Sequence, residues 1–278
     1  MNDKQITKKE IKSALIRSGY LLESRVAELL NRKGYFVESN IAFQDPETKK
    51  SREIDLFADY RGVHFYSKQK NVYISTYLII ELINNPQPIV FFINKSFNLN
   101  PLSEKMRFVT TPKYKAAQFH FVDQLHIEEF HHLETRDLCT QYCSFSKKKA
   151  ADKKETNEWM ASHPDALHDT FKKLLQFTDY KRNTLESGFL KNDATRFFLF
   201  QPLLVVQGDV FKAYGLQRSV NLKRSDMIQF EFNYHYHKEP SAIMIDVVTE
   251  KSLSSYLEII ESESKEIGLR IEKMIFEQ

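Results

Sequence analysis

Glycine is scarce in this chain: seven occur in 278 residues, and none falls in a GxGxxG or GxxxxGK[ST] spacing. Without such glycines the backbone cannot close its N–H groups around a phosphate, so a nucleotide-binding phosphate loop of the common kinds is excluded. Cysteine is scarcer still, with only Cys139 and Cys143. Two thiols build no disulfide framework, and they fit a reducing compartment. No apolar run approaches the ~18 residues of a membrane helix. The polar, lysine-rich start (residues 1–12) lacks the apolar segment of a secretion signal. A soluble, cytoplasmic protein with no membrane partner is therefore expected. Charge of one sign is also lacking: 40 basic residues nearly cancel 37 acidic ones, leaving +3. Any surface for nucleic acid must be local.

What is present is apolar material with clear periodicity. At 42% hydrophobic and 13% aromatic residues the chain can bury a substantial core. Leu22, Val26, Leu29 and Leu30, with Leu15 on the flank, recur at helical spacing and predict a helix over 20–33, stopped by Gly34. A strand is expected over 35–42, then a turn carrying Asp45-Pro-Glu-Thr-Lys-Lys50. In the next strand, 52–58, alternation sets Ile54 and Leu56 on one face and Glu53, Asp55 and Phe57 on the other. Residues 61–69 read as a polar connection, and 72–83 as a nearly continuous apolar strand covered on both faces. A short strand follows over 89–93.

Further along, 135–180 reads as mostly helical, with a lysine-rich interruption at 147–154. Segments 197–206 and 210–214 flank Gln207-Gly-Asp209, a hairpin signal. Strands are expected over 228–237 and 242–248, before a closing helix striped by Leu253, Leu257, Ile260, Ile267, Ile271 and Met274. No internal repeat is evident. One elaborated α/β domain is preferred over a division into 1–146 and 157–278, with 146–157 the best linker candidate.

Three acids stand out within the first 85 positions: Glu23 on the first helix, Asp55 in an alternating strand and Glu81 inside an apolar strand. Carboxylates in apolar surroundings are costly unless something positive lies between them. Hard oxygen donors of this kind suit Mg²⁺ or Mn²⁺. Such an ion activates water and polarises a phosphate, so the trio points to phosphodiester chemistry. Each acid also has a structural reading, Asp55 as a partner of Arg52 or Lys50 for example. Lys49, Lys50 and Arg52 before Asp55, and Lys68 and Lys70 before the Glu81 strand, are candidate phosphate contacts. His235 and His237, adjacent His131 and His132, and the two cysteines read as structural. The lysines at 147–149, 153 and 154 read as a solvated run or an electrostatic contact to nucleic acid.

The stretches Gly19-Tyr-Leu-Leu-Glu23, Ala27-Glu-Leu-Leu30, Arg52-Glu-Ile-Asp55-Leu-Phe-Ala58, Leu78-Ile-Ile-Glu81-Leu-Ile-Asn-Asn85 and Ile89-Val-Phe-Phe92 fall in a telling order. Over about the first third of the chain, roughly residues 10–100, they resemble the restriction-endonuclease-like PD-(D/E)XK nuclease superfamily. The resemblance implies an α/β core with a central mixed sheet flanked by helices, elaborated on its C-terminal side. It implies Asp55 and Glu81 as metal ligands, the Leu82 carbonyl as a third donor, and Glu23 as an accessory acid. The partner would be nucleic acid, DNA first, cut by an endonuclease of restriction or phage-defence type. The chain departs from the pattern at Ile83, where the superfamily carries lysine. Either a basic or amide group elsewhere takes that role, from Lys68, Lys70, Asn84, Asn85 or Lys95, or the chain is an inactive module binding nucleic acid or a protein partner. A homodimer is the further alternative.

Overall fold

In a computed structural model the alternating and apolar segments among the described residues assemble into one twelve-stranded mixed sheet flanked by helices. The structure describes residues 6–17, 20–66, 71–94, 108–110, 138–149, 155–188, 195–216, 219–236 and 239–276. The elements run α1 (Lys8–Arg17), α2 (Tyr20–Arg32), β1 (Phe36–Gln44), β2 (Ser51–Tyr66), β3 (Asn71–Asn84), β4 (Ile89–Ile93), β5 (Phe108–Thr110), β6 (Cys139–Lys149) and β7 (Glu155–Ser162). They continue with α3 (Asp165–Gly188), β8 (Thr195–Gln207), β9 (Val210–Leu216), β10 (Ser219–Arg224), β11 (Met227–Tyr236), β12 (Glu239–Thr249) and α4 (Leu253–Phe276). Among the described residues no helix is long and apolar enough to cross a membrane.

Gly34 ends α2 as its position suggests. It takes φ +86°, a left-handed conformation that costs glycine little, while Tyr35 N–H reaches back to the Leu30 carbonyl at 3.1 Å. The chain then forms an antiparallel meander of β1, β2 and β3, and β8 joins β3 in parallel. Alternation along these strands feeds two cores. On one face Leu56, Ala58, Leu78, Ile80, Leu203 and Val205 pack with Leu22, Val26 and Leu30 of α2 and with Leu253, Tyr256 and Leu257 of α4. On the other, Phe57, Ile79, Phe198, Phe200 and Leu204 pack with Phe171, Leu174, Leu175 and Phe177 of α3. That second core also takes Phe91 from β4, Tyr142 from β6 and Phe230 from β11, so residues on either side of 146–157 share it. The described residues of the linker candidate belong to the antiparallel pair β6 and β7, with Ser146 opposite Met160 and Lys147 opposite Trp159.

Three expectations need correction. Gln207-Gly-Asp209 closes no hairpin: β12, β11, β6 and β4 stand between β8 and β9 in the sheet. β3 and β8 instead turn one corner side by side, and their continuations β4 and β9 are again parallel partners, Ile89 against Val210. The sheet thereby curls around α3. Two-residue connections suit hairpins, but here each corner is held by the other strand: Asn85 N–H donates to the Gln207 carbonyl at 3.3 Å and Ile89 N–H to the Asp209 carbonyl at 3.0 Å. Residues 139–149 and 155–162 are strands rather than helix, because Thr140, Tyr142 and Phe145 satisfy a pleated surface and pairing with β4 overrides local composition. Residues 61–66 are no loose connection. β2 continues through a bulge between Tyr60 and Val63 and pairs with β3 as far as Tyr66 opposite Asn71.

Gly208 is the tightest point of the corner. It has φ +153°, and a Cβ there would stand 2.6 Å from the Asn85 carbonyl oxygen. Gly208→Ala is expected to destabilise the fold by about 1–3 kcal/mol, read as a lower urea midpoint; an unchanged midpoint would contradict this crossing of the two strands.

Candidate active site at the end of strands β2 and β3

The register that sets Leu56 opposite Ile80 and Phe57 opposite Ile79 carries Asp55 to the position facing Glu81. The backbone joins them crosswise. Leu82 N–H donates to Asp55 Oδ2 at 2.8 Å, and Asp55 N–H donates to Glu81 Oε1 at 3.3 Å. Side chains alternate along β3, so Glu81 shares its face with Ile79 and Ile83, toward α3. It is 3% exposed. A carboxylate so placed needs a positive partner, and one arrives from α3: Lys173 Nζ stands 2.6 Å from Glu81 Oε2.

Lys173 is thus the cation at Glu81, on the face of β3 that Glu81 shares with Ile83. Ile83 itself packs against the α3-side core. The other candidates are placed otherwise or lie outside the described residues. Asn85 Nδ2 donates to Ser144 Oγ at 3.2 Å, while Lys68, Lys70 and Lys95 are not among the described residues. The sequence carried a partial signal for Lys173. Leu167, Phe171, Leu174, Leu175 and Phe177 form the buried stripe of α3, and Asp169 and Lys173 form a polar i, i+4 pair on its flank. Reading 135–180 as one long helical region hid where that helix begins and what it faces.

Asp55 and Lys173 line an open cleft of about 550 Å³ with Arg52, Glu53, Asp169 and Thr170. Asp169 is a further carboxylate that the sequence reading missed. The electrostatics follow from burial. Glu81 is pushed up to about 8 by desolvation first and by the charge of Asp55 second, with Lys173 and the Asp55 N–H opposing. Asp55 is raised as well, by burial, against the Leu82 N–H and Lys173. Two neighbouring carboxyls whose charge is costly where they sit, beside a cleft with room for water, suit a hard divalent cation that keeps several waters. Leu82 contributes its N–H to Asp55 here. Among the described residues no group of three or more His, Cys, Asp and Glu side chains is gathered to enclose a metal ion.

The remaining candidates fall around this pair. Glu23 is half-buried on α2 and accepts a hydrogen bond from Asn40 Nδ2 at 3.0 Å. Asn40, at φ 54°, stands between the Ser39–Leu56 and Ile41–Ile54 pairs, the register position across from Asp55. Glu23 thus holds the neighbour of Asp55. Arg52 does not pair with Asp55: its Nε lies 2.5 Å from Asp45 Oδ2. Burial works to raise Asp45, but the N–H groups of Thr48 and Glu47 and the charge of Arg52 bring it below the usual range. Asp45 thereby fixes the turn that presents Lys49 and Lys50, both exposed, and Glu47 of that turn forms an ion pair with Lys172 of α3. Cys139 and Cys143 are buried thiols on one strand and form no disulfide. His235 is exposed; His237, His131 and His132 lie outside the described residues.

The raised value of Glu81 fixes a pH dependence. An unfolded glutamate titrates near 4.5, and the folded one holds its proton up to about 8. The folded state therefore binds the proton more tightly. This stabilisation is complete below about 4.5 and is lost as pH rises through about 8. Glu81→Gln keeps a neutral side chain throughout, so its stability relative to wild type should rise between about pH 5 and pH 9, by a few kcal/mol on the order of the linkage. Urea unfolding without divalent cations reads the difference; parallel pH profiles would contradict a buried, proton-holding Glu81. Comparison of the chain with protein-family models, with curated proteins and with solved structures yields no match.

Proposed function

We propose that this protein hydrolyses phosphodiester bonds in nucleic acid, with DNA as substrate, through Mg²⁺ or Mn²⁺ held at Asp55 and Glu81. The carrying observation is Lys173: an amine from α3 stands at Glu81, as a lysine at position 83 would in the restriction-endonuclease-like PD-(D/E)XK proteins that the sequence resembles. The order of α2, β1, β2 and β3, with both acids near the ends of adjacent antiparallel strands, supports the same reading.

The residues divide the work. Asp55, oriented by the Leu82 N–H, and Glu81 supply the two anionic oxygens. A bound divalent ion supplies Lewis acidity and lowers the pKa of its water. Lys173 opposes the protonation of Glu81 that burial and Asp55 favour, and its ammonium stands where charge on a phosphate oxygen would develop. Asn40, held by Glu23, occupies the β1 register position across from Asp55. Lys49 and Lys50, exposed on the neighbouring turn, suit backbone phosphates and carry no base readout. An endonuclease of restriction or phage-defence type is the biological form of this reading.

A second reading has its own observation. The Lys173–Glu81 pair already balances one charge, and no third acid, His or Cys completes a ligand group among the described residues. Both fit an inactive module that binds nucleic acid or a protein partner. Plasmid nicking separates the two. With Mg²⁺ or Mn²⁺ the wild type should nick, and Asp55→Asn should lose at least about 100-fold, in the range found for removing a transition-state contact, with an unchanged unfolding midpoint. Salt-sensitive DNA binding without nicking in either metal would move the conclusion to the inactive module.

A further inference from the structure

A second cavity lies on the same face of the sheet, four residues along both strands from the carboxylates, ~13 Å at strand spacing. Its volume is about 350 Å³, within the range of small-molecule sites. Asp59 on β2 stands opposite Tyr77 on β3, and Tyr73 on β3 opposite Arg196 on β8, so three neighbouring strands build its floor. Phe57 separates it from the cleft at Asp55, packed against Tyr77 at 4.9 Å and Phe177 at 6.3 Å between ring centres.

Its chemistry is specific. The β2 bulge between Tyr60 and Val63 sets Arg61 back toward Asp59, with Nε 2.6 Å from Oδ2. Bulges of this kind commonly re-aim a side chain at a site. Arg196 holds its guanidinium 5.8 Å from the Tyr73 ring centre, and Tyr77 lies 5.2 Å from Phe198. The hydroxyl of Tyr77 is pushed up to about 12 by burial first and by Asp59 second, against Arg61 and Arg196, so it senses both guanidiniums. Asp59 is 5% exposed, and its Oδ1 is buried with no hydrogen-bond partner among the described residues. A buried acceptor left unmatched asks for a donor.

Two guanidiniums suit a phosphate, which arginine grips bidentately. Tyrosine and phenylalanine rings suit a planar ring. An unmatched carboxylate oxygen suits an N–H on that ring's edge. We infer that this cavity binds a nucleotide, with its phosphate on Arg61 and Arg196, its base against Tyr73 and Tyr77, and a base N–H on Asp59. Guanine, with ring and exocyclic N–H donors on one edge, meets Asp59 better than adenine. The nucleotide is either free or part of a strand, and the site stands independently of the hydrolytic reading.

Calorimetric titration with guanosine 5′-monophosphate and, separately, with a single-stranded DNA dodecamer tests it on wild type, Arg196→Ala and Tyr73→Leu. Arg196 is exposed, and unfolding midpoints check that both variants remain folded. Saturable nucleotide binding, weakened at least tenfold by either change, is expected; guanosine lacking the phosphate should bind more weakly and not respond to Arg196→Ala. If the dodecamer alone binds and loses affinity in both variants, the nucleotide belongs to a strand. Absence of saturable binding by either probe, or binding that neither variant alters, overturns the site. Nicking by the Asp55 pair is read in a separate assay, so the two ideas fail separately.

Discussion

The ion pair between Lys173 and Glu81 is the contact on which the rest of this structure turns. Glu81 sits within a strand whose neighbours Ile79, Ile80, Leu78 and Ile89 are buried. In such a setting desolvation alone favours the neutral acid, and the nearby Asp55 adds to the cost of charge. Removing one partner of a buried pair leaves an uncompensated charge, which costs far more than the pair itself contributes. The lysine comes from an element more than eighty residues further along the chain, so the site exists only once α3 has docked in the curl of the sheet.

That docking explains the unusual path of the chain. β3 and β8 must bend together for β4, β6 and β11 to close around α3, and Gly208 permits the close passage of the two corners. The opposite face is a more ordinary layer, where α2 and α4 cover Leu56, Leu78 and Leu203. Several of its buried polar groups meet one another: Tyr256 donates to Asp246 at 2.7 Å, Gln201 donates to the same carboxylate, and Thr76 meets Ser264 at 2.7 Å. On the α3 face, Asp55 and Lys173 instead border an open cleft. Polar groups that meet one another under α4 and polar groups that open onto a cleft beside α3 distinguish the two faces.

Local signals in the sequence were reliable where one element decided the outcome. The stripe of Leu22, Val26 and Leu30, the Gly34 stop, the two-sided apolar strand around Glu81, the β11–β12 hairpin and the final helix all appear as periodicity implies. Asp55 and Glu81 were legible because a charge inside an apolar strand is rare and needs a reason. Lys173 was not, since nothing near position 173 in the chain speaks of Glu81; the pairing is set by helix docking. The hairpin expected at Gln207-Gly-Asp209 failed for a related reason. A short glycine turn is compatible with a corner as well as a hairpin, and only the partner strands β3 and β4 distinguish the two. The strands at 139–149 and 155–162 were masked by lysines and glutamates that a helix would also tolerate.

The claim that Lys173 supplies the amine missing at Ile83 is tested most directly by moving it. Ile83 lies two residues beyond Glu81 on the same face of β3, so a lysine there can reach the same carboxylate. Metal-dependent plasmid nicking should fall at least about 100-fold in Lys173→Ala and recover most of that loss in the double variant Lys173→Ala/Ile83→Lys. Full activity in Lys173→Ala, or a double variant as inactive as the single one while both remain folded, would contradict it.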